Sequence, residues 1–309
     1  MTKSKVILIC DKFEKDGVNL LKKSGFKIIE KPLISTSDLL RYINKINVIV
    51  VRSRTKITRD IIEKSNTLEL IARPGTGVDN IDLIAAKDND IPVFTSVEAS
   101  TNSVAELAIA FTISLSRSIP QADSKMKQGV WSKDTLMGNE LKNKHFGIVG
   151  MGRIGRRTAQ LAHALEMNVL AYEKLKIENS FCKKHNVKQV TLKQLLKKSD
   201  FVSLHLPFTK ETNNIIGKKE LDLMKPSAYI INTARGQLIS EKDLYVHLKN
   251  SRIAGAALDV FSVEPPKNKN TIRLSNVIAT PHIGAQIIEA QKEASLVIAQ
   301  KIIKYFSKS

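Results

Sequence analysis

Phe146-Gly147-Ile148-Val149-Gly150-Met151-Gly152-Arg153-Ile154-Gly155 is the stretch whose reading decides the fold. An apolar strand runs into glycines spaced Gly-x-Gly-x-x-Gly, and a helical pattern follows over 154–164. Gly150 permits the tight turn. Gly152 lets a pyrophosphate approach the backbone without a Cβ in the way, and Gly155 allows close helix–strand packing. The unpaired N–H groups at the start of the helix offer partial positive charge to the phosphates. Glu173 ends the next strand. A carboxylate there accepts hydrogen bonds from ribose hydroxyls and repels a 2′-phosphate, which favours NAD over NADP, with Lys174 as an opposing charge.

Outward from the fingerprint, the strand–helix alternation continues. Strands are expected over 168–172, 201–204, 228–232, 254–258 and 277–279, with helices between them. Upstream, residues 5–98 repeat the rhythm, with strands over 6–10, 26–30, 48–52, 68–73 and 92–95. Apolar strands joined by crossover helices make parallel sheets. Between the two series, Ser103 and Glu106 form a capping-box pattern ahead of the apolar run 107–115. That helix is apolar on all sides, which points to burial on more than one face, by a dimer contact or by packing between domains. A second helix is expected over 120–128, and a final one over 287–306 is long enough to return to the first series. The expected fold is α/β, with two doubly wound parallel-sheet domains of Rossmann and flavodoxin-like type and a cleft between them. The substrate-binding domain is expected to be discontinuous, 1–98 with 285–309, and the NAD-binding domain to span 99–284.

Arg235, Glu264 and His282 each follow a strand end downstream of the fingerprint. Ligands of doubly wound sheets bind at the carboxyl ends of the strands. His282 can take a hydroxyl proton while hydride leaves the same carbon. Glu264 can orient that imidazole and raise its pKa, and Arg235 can grip a carboxylate with both arms. Singly, such residues are more often structural. Together, beyond a fingerprint and on one sheet edge, they supply the parts to oxidise a small anionic 2-hydroxy acid, or to reduce the 2-oxo acid. His205 also ends a strand and is a candidate for the cofactor side, whereas His145, His163, His185 and His247 read as surface or packing residues. No spacing of His, Cys and acidic residues suggests a metal site.

These segments resemble the D-2-hydroxyacid dehydrogenase family nearly end to end. The resemblance is carried by Val51-Arg52-Ser53-Arg54-Thr55-Lys56, Arg73-Pro74-Gly75-Thr76-Gly77-Val78-Asp79-Asn80, Ser103-Val104-Ala105-Glu106-Leu107, the glycine fingerprint, Asn232-Thr233-Ala234-Arg235-Gly236, Ala257-Leu258-Asp259-Val260-Phe261 and Thr280-Pro281-His282-Ile283-Gly284-Ala285. Within the family it points to the branch that oxidises 3-phosphoglycerate at the start of serine biosynthesis. It implies that Arg235, Glu264 and His282 are catalytic. It also implies that Arg153 and Ile154 meet the pyrophosphate, that Glu173 holds the ribose, and that Leu206, Pro207, Thr233, Ala234, Gly284 and Ala285 line the cofactor. Asp259 would bond the nicotinamide carboxamide. The amides of Thr76 and Gly77 would take the substrate carboxylate, Arg52 would take the substrate phosphate with Arg73 nearby, and Ser53 would be a further substrate-binding residue. Lys133 falls where relatives place an arginine that reaches the neighbouring subunit's site, so a homodimer through the NAD-binding domain is implied. Three departures stand out. Glu173 replaces the usual Asp, Val97 replaces a common Pro, and the absence of a C-terminal extension implies no serine-sensing regulatory domain.

The totals bound the alternatives. The chain has 309 residues, enough for two domains. The formal charge is +19, but the lysines are spread along the chain without interleaved aromatics, so nucleic-acid binding is not expected. No apolar run is long enough to span a bilayer. The two cysteines, Cys10 and Cys182, suggest a reducing cytoplasm rather than a disulfide framework. Two other readings stay open: a glyoxylate or hydroxypyruvate reductase working in the opposite direction, and an NAD-sensing corepressor-like binding protein.

Overall fold

Short runs of Ile, Val and Leu are buried on both faces when helices cover a parallel sheet, and this chain builds two such sheets. The structure is a computed structural model that describes residues 4–307. It divides into two compact units, one reaching to Ser100 and resuming at Ala285, the other running Thr101–Gly284.

The first unit alternates β1 (Val6–Ile9), α1 (Lys15–Lys23), β2 (Lys27–Glu30), α2 (Thr36–Tyr42), β3 (Val48–Val50), α3 (Arg59–Glu63), β4 (Leu70–Arg73), α4 (Leu83–Asp88) and β5 (Val93–Thr95). The second unit opens with α5 (Thr101–Arg117) and α6 (Ile119–Lys127). It continues with β6 (His145–Val149), α7 (Arg153–Ala164), β7 (Asn168–Tyr172), α8 (Asn179–Lys184), β8 (Val187–Gln189), α9 (Leu192–Lys198) and β9 (Phe201–Leu204). It closes with α10 (Lys218–Leu221), β10 (Tyr229–Asn232), α11 (Glu241–Lys249), β11 (Gly255–Leu258) and β12 (Val277–Ala279). The last helix, α12 (Ile288–Phe306), belongs to the first unit and packs on α1.

The first sheet has the order β2-β1-β3-β4-β5 and the second β12-β11-β10-β9-β6-β7-β8, with parallel pairing in both. These are two doubly wound sheets, whose strand order reverses between β1 and β3 and between β6 and β9. Side chains alternate between two cores in each unit. In β1, Ile7 and Ile9 face α1 and α12, while Leu8 faces the α2–α4 side. In β6, Phe146 and Ile148 face α5 and α7, while Val149 faces the opposite core.

The structure explains the all-round apolar character of α5. It is covered by α7 on one side and by β10 and β11 on another, and Ala105, Ala108 and Thr112 are fully buried. The capping box expected at Ser103 is corrected. The helix starts at Thr101, Ser103 is buried inside its first turn, and Glu106 accepts from the Asn102 amide. Ser100, Thr101, Asn102 and Ser103 are all residues that can cap, so the local pattern could not choose among them. Strand β8 was not anticipated. It is a three-residue edge strand with Lys188 and Gln189 exposed.

Candidate active site

The fingerprint loop leaves β6 through Gly150 at a φ of 100°. A Cβ there would lie 2.9 Å from the His205 carbonyl, and one on Gly155 would lie 2.0 Å from the Gly150 oxygen. Both glycines are therefore required by backbone crowding. Gly152 differs, because nothing lies within 4 Å of where its Cβ would point. It N-caps α7 without a side-chain bond, and the first N–H groups of that helix, on Arg153 and Ile154, have no partner among the described residues. The Thr233 hydroxyl is buried with no hydrogen-bond partner among the described residues. An uncapped helix start, a clear approach over Gly152 and an orphaned hydroxyl fit a dinucleotide.

Glu173 reaches back to this loop. One carboxylate oxygen accepts the Met151 N–H at 2.8 Å and the other the Lys174 N–H at 2.8 Å. The side chain thus ties the fingerprint loop to the end of β7, and each oxygen keeps a lone pair for a ribose hydroxyl. Leu206 packs over Gly150, Ala234 is half-buried, and Pro207 is exposed, with its carbonyl accepting from Thr212. The His205 ring bonds the Ser203 hydroxyl at 2.9 Å, and burial pushes its pKa down to about 3. It is thus a neutral ring beside the loop.

Arg235, Glu264 and His282 follow β10, β11 and β12, which are neighbours in one parallel sheet, so their loops emerge at the same edge. The structure brings them together. His282 Nδ1 lies 2.7 Å from Glu264 Oε2, and the other Glu264 oxygen accepts the Phe261 N–H at 3.1 Å. Nε2 makes no hydrogen bond among the described residues. The bond from Glu264 raises the His282 pKa against the effect of burial, with the charges of Glu264 and Asp259 adding and Arg235 opposing. Burial is the largest single effect on Glu264 and pushes its pKa up. The bond and charge of His282, the Phe261 N–H and Arg235 together outweigh it, and the carboxyl ends below its ordinary value. Arg235 is half-buried, with its Nη1 2.6 Å from the Ala234 carbonyl.

Several supports were invisible in the sequence. Asp259 is fully buried and accepts from the Thr280 hydroxyl at 2.5 Å, the Ile283 N–H at 2.7 Å and the Gly284 N–H at 2.9 Å. It shapes the loop that carries His282, and Oδ2 keeps capacity for a further donor. Thr280 was not singled out by pattern. A Cβ on Gly236 would lie 1.9 Å from the Phe261 carbonyl carbon, so the loops bearing Arg235 and Glu264 cross in close contact. Gln237 donates to the Ser262 carbonyl at 3.0 Å, and Glu241 accepts the Ser262 N–H at 2.8 Å. Only the neighbouring glycine in Arg235-Gly236 hinted at this crossing.

The remaining expected residues lie elsewhere. Arg52, Ser53, Arg73, Thr76 and Gly77 belong to the first unit, and Ala285 begins its returning segment. The Arg52 guanidinium makes no hydrogen bond or ion pair among the described residues, and Ser53 beside it is exposed. Arg73 ends β4 beneath Gly75, whose N–H is held by the Ser96 hydroxyl at 2.8 Å. The N–H groups of Thr76 and Gly77 have no partner among the described residues. Lys133 is exposed in a single helical turn and forms no bond with the trio.

Residues 109–284 match the family described as D-isomer specific 2-hydroxyacid dehydrogenase, NAD binding domain. The chain is 42% identical over 96% of its length to a D-3-phosphoglycerate dehydrogenase of Methanocaldococcus jannaschii and covers 57% of that protein. It thus spans little more than half the length of such relatives. It is 40% identical to a hydroxypyruvate reductase of Thermotoga maritima, over 95% of this chain and 96% of that one. A solved glyoxylate reductase from Paecilomyes thermophila superposes with a TM-score of 0.90 at 29% identity, over 99% of this chain and 97% of that one. The chain belongs to the D-isomer-specific 2-hydroxyacid dehydrogenase family and carries its NAD-binding domain.

Proposed function

We propose that this protein oxidises D-3-phosphoglycerate to 3-phosphohydroxypyruvate with NAD, the first step of serine biosynthesis. The observation that carries the reading is the 2.7 Å pair of His282 and Glu264, with Arg235 on the adjoining loop. Bound NAD supplies the hydride acceptor at its nicotinamide ring. His282 takes the hydroxyl proton on Nε2, since Nδ1 is engaged by Glu264. Glu264 stabilises the imidazolium that results. Arg235 holds the substrate carboxylate and polarises the C2 oxygen. Thr76 and Gly77 offer amides to that carboxylate, and the unpaired cation of Arg52 takes the phosphate, with Ser53 and Arg73 beside it. Glu173, Thr233 and Asp259 hold the cofactor.

A homodimer through the second unit is part of this reading. Val130, Trp131 and Met137 are 47%, 79% and 91% exposed on the segment after α6, large apolar side chains that suit a protein contact. Lys133 lies in the same segment and would enter the partner's site. Both cysteines are free, which suits a reducing cytoplasm.

The phosphate assignment is tested with Arg52→Ala. KM should rise about a hundredfold for 3-phosphoglycerate and little for D-glycerate, the scale expected for losing a charge-assisted contact. Equal losses on both substrates would sink it. A second reading, reduction of hydroxypyruvate, is supported by the near full-length match to the Thermotoga maritima reductase. Rates in both directions at one pH discriminate between the two.

A further inference from the structure

The strand order of the five-stranded sheet reverses between β1 and β3, the place where doubly wound sheets bind ligands. Two loops leave the carboxyl ends there. One begins with Asp11, which is only 7% exposed, and the other is Arg52-Ser53-Arg54-Thr55. The Asp11 carboxylate accepts four hydrogen bonds, all from the second loop. Oδ2 takes the Arg52 N–H at 2.6 Å and the Thr55 N–H at 3.3 Å. Oδ1 takes the Thr55 hydroxyl at 2.9 Å and Arg54 Nε at 3.2 Å. From the other side, the Asn80 amide donates to the Arg52 carbonyl at 2.6 Å and the Thr55 carbonyl at 2.5 Å. The loop is clamped by its N–H groups on one carboxylate and by its C=O groups on one amide.

The clamp treats the two arginines differently. Arg54 is spent on Asp11 and on the Cys10 and Ile34 carbonyls. Arg52 contributes only its backbone, so its guanidinium stays unpaired while burial pulls its pKa below the ordinary value. A partly desolvated cation that feels the charges of Asp11 and Glu14, yet makes no hydrogen bond or ion pair through its side chain among the described residues, has donors left for an anion.

We propose that Asp11 is a positioning residue for substrate recognition: by holding the 52–55 loop through four donors, it presents the free Arg52 guanidinium to the phosphate end of the substrate. This rests on the reading of Arg52 given above. Asp11 touches no substrate itself. In Asp11→Asn, an amide NH₂ meets donors where a carboxylate accepted them, so the loop must shift.

The test is steady-state kinetics on the full chain of Arg52→Ala, Asp11→Asn and the double variant, with 3-phosphoglycerate and with D-glycerate. Asp11→Asn should raise KM for 3-phosphoglycerate about tenfold, with KM for D-glycerate and for NAD within about twofold. The double variant should be no worse than Arg52→Ala, because Asp11 acts through Arg52. Losses that multiply in the double variant, or that fall equally on both substrates, overturn the assignment. If Arg52→Ala discriminates and Asp11→Asn does not, Asp11 alone is wrong. If Arg52→Ala fails to discriminate, the phosphate reading fails first and takes Asp11 with it. Should Asp11→Asn fail to fold, Thr55→Val removes one donor at nearly constant volume. It should shift the same KM ratio in the same direction by a smaller factor, and an unmoved ratio overturns the proposal.

Discussion

His282 adopts a left-handed backbone conformation, φ 53°, which costs a non-glycine residue roughly 1–2 kcal/mol. The surrounding bonds hold it there. Its N–H donates to the Asp259 carbonyl at 2.9 Å, and the Asp259 carboxylate ties the residues that follow. That conformation turns the ring towards Glu264. The pH dependence follows from this pair. The proposed reaction needs a neutral imidazole as its proton acceptor, and the His282 pKa is raised above 6.5. Oxidative kcat/KM should therefore climb with pH through a value above 6.5, and the reductive rate should fall over the same range. Glu264→Gln keeps an acceptor oxygen but removes the charge and weakens the bond that raise this pKa, so the inflection should move to lower pH. A pH–rate profile unchanged by the substitution would remove Glu264 from the role. The pair's contribution to stability has the same signs. The His282 part is present below 6.5 and is lost as pH rises through the raised value. The Glu264 part is present above 4.5 and is lost as pH falls through the lowered value.

At the scale of elements, the glycines separate by what a Cβ would meet. Gly236→Ala places a carbon against the backbone of Phe261, which cannot yield as a side chain could. Unfolding in urea should show a loss of about 1–3 kcal/mol, the range for overpacking, with activity falling as the Glu264 loop shifts. Gly152→Ala meets only open space, so stability should hold while the Kd for NAD rises. Unchanged NAD affinity in that variant, measured by calorimetry, would mean that the pyrophosphate does not pass over Gly152. Most strands were legible because strands buried on both faces read as continuous apolar runs. Their ends were less so. Cys10 and Val51 lie just past the assigned strands, yet their N–H groups still bond Val50 and Ala72, so the ladder fades gradually. Strand β8 escaped notice because an exposed edge of three residues leaves no apolar signal.

At the scale of the whole molecule, the proposed dimer gives a prediction at Trp131, which is 79% exposed on the segment after α6. Trp131→Glu should shift the protein toward monomer in sedimentation velocity, since a buried carboxylate without a partner opposes association. A monomeric parent protein would refute the dimer outright. What the amino-acid order determined by itself was the double series of strands and helices, the glycine fingerprint and the trio of Arg235, Glu264 and His282. These depend on local constraints: periodic burial, backbone space, and the rule that parallel strands present their loops on one edge. Only the tertiary structure decided that Asp259 shapes the His282 loop, that Gly236 crosses Phe261, and that Asp11 and Asn80 clamp the loop of Arg52. An aspartate reads the same in sequence whether solvated or ringed by donors, and its donors here come from chain segments distant in sequence.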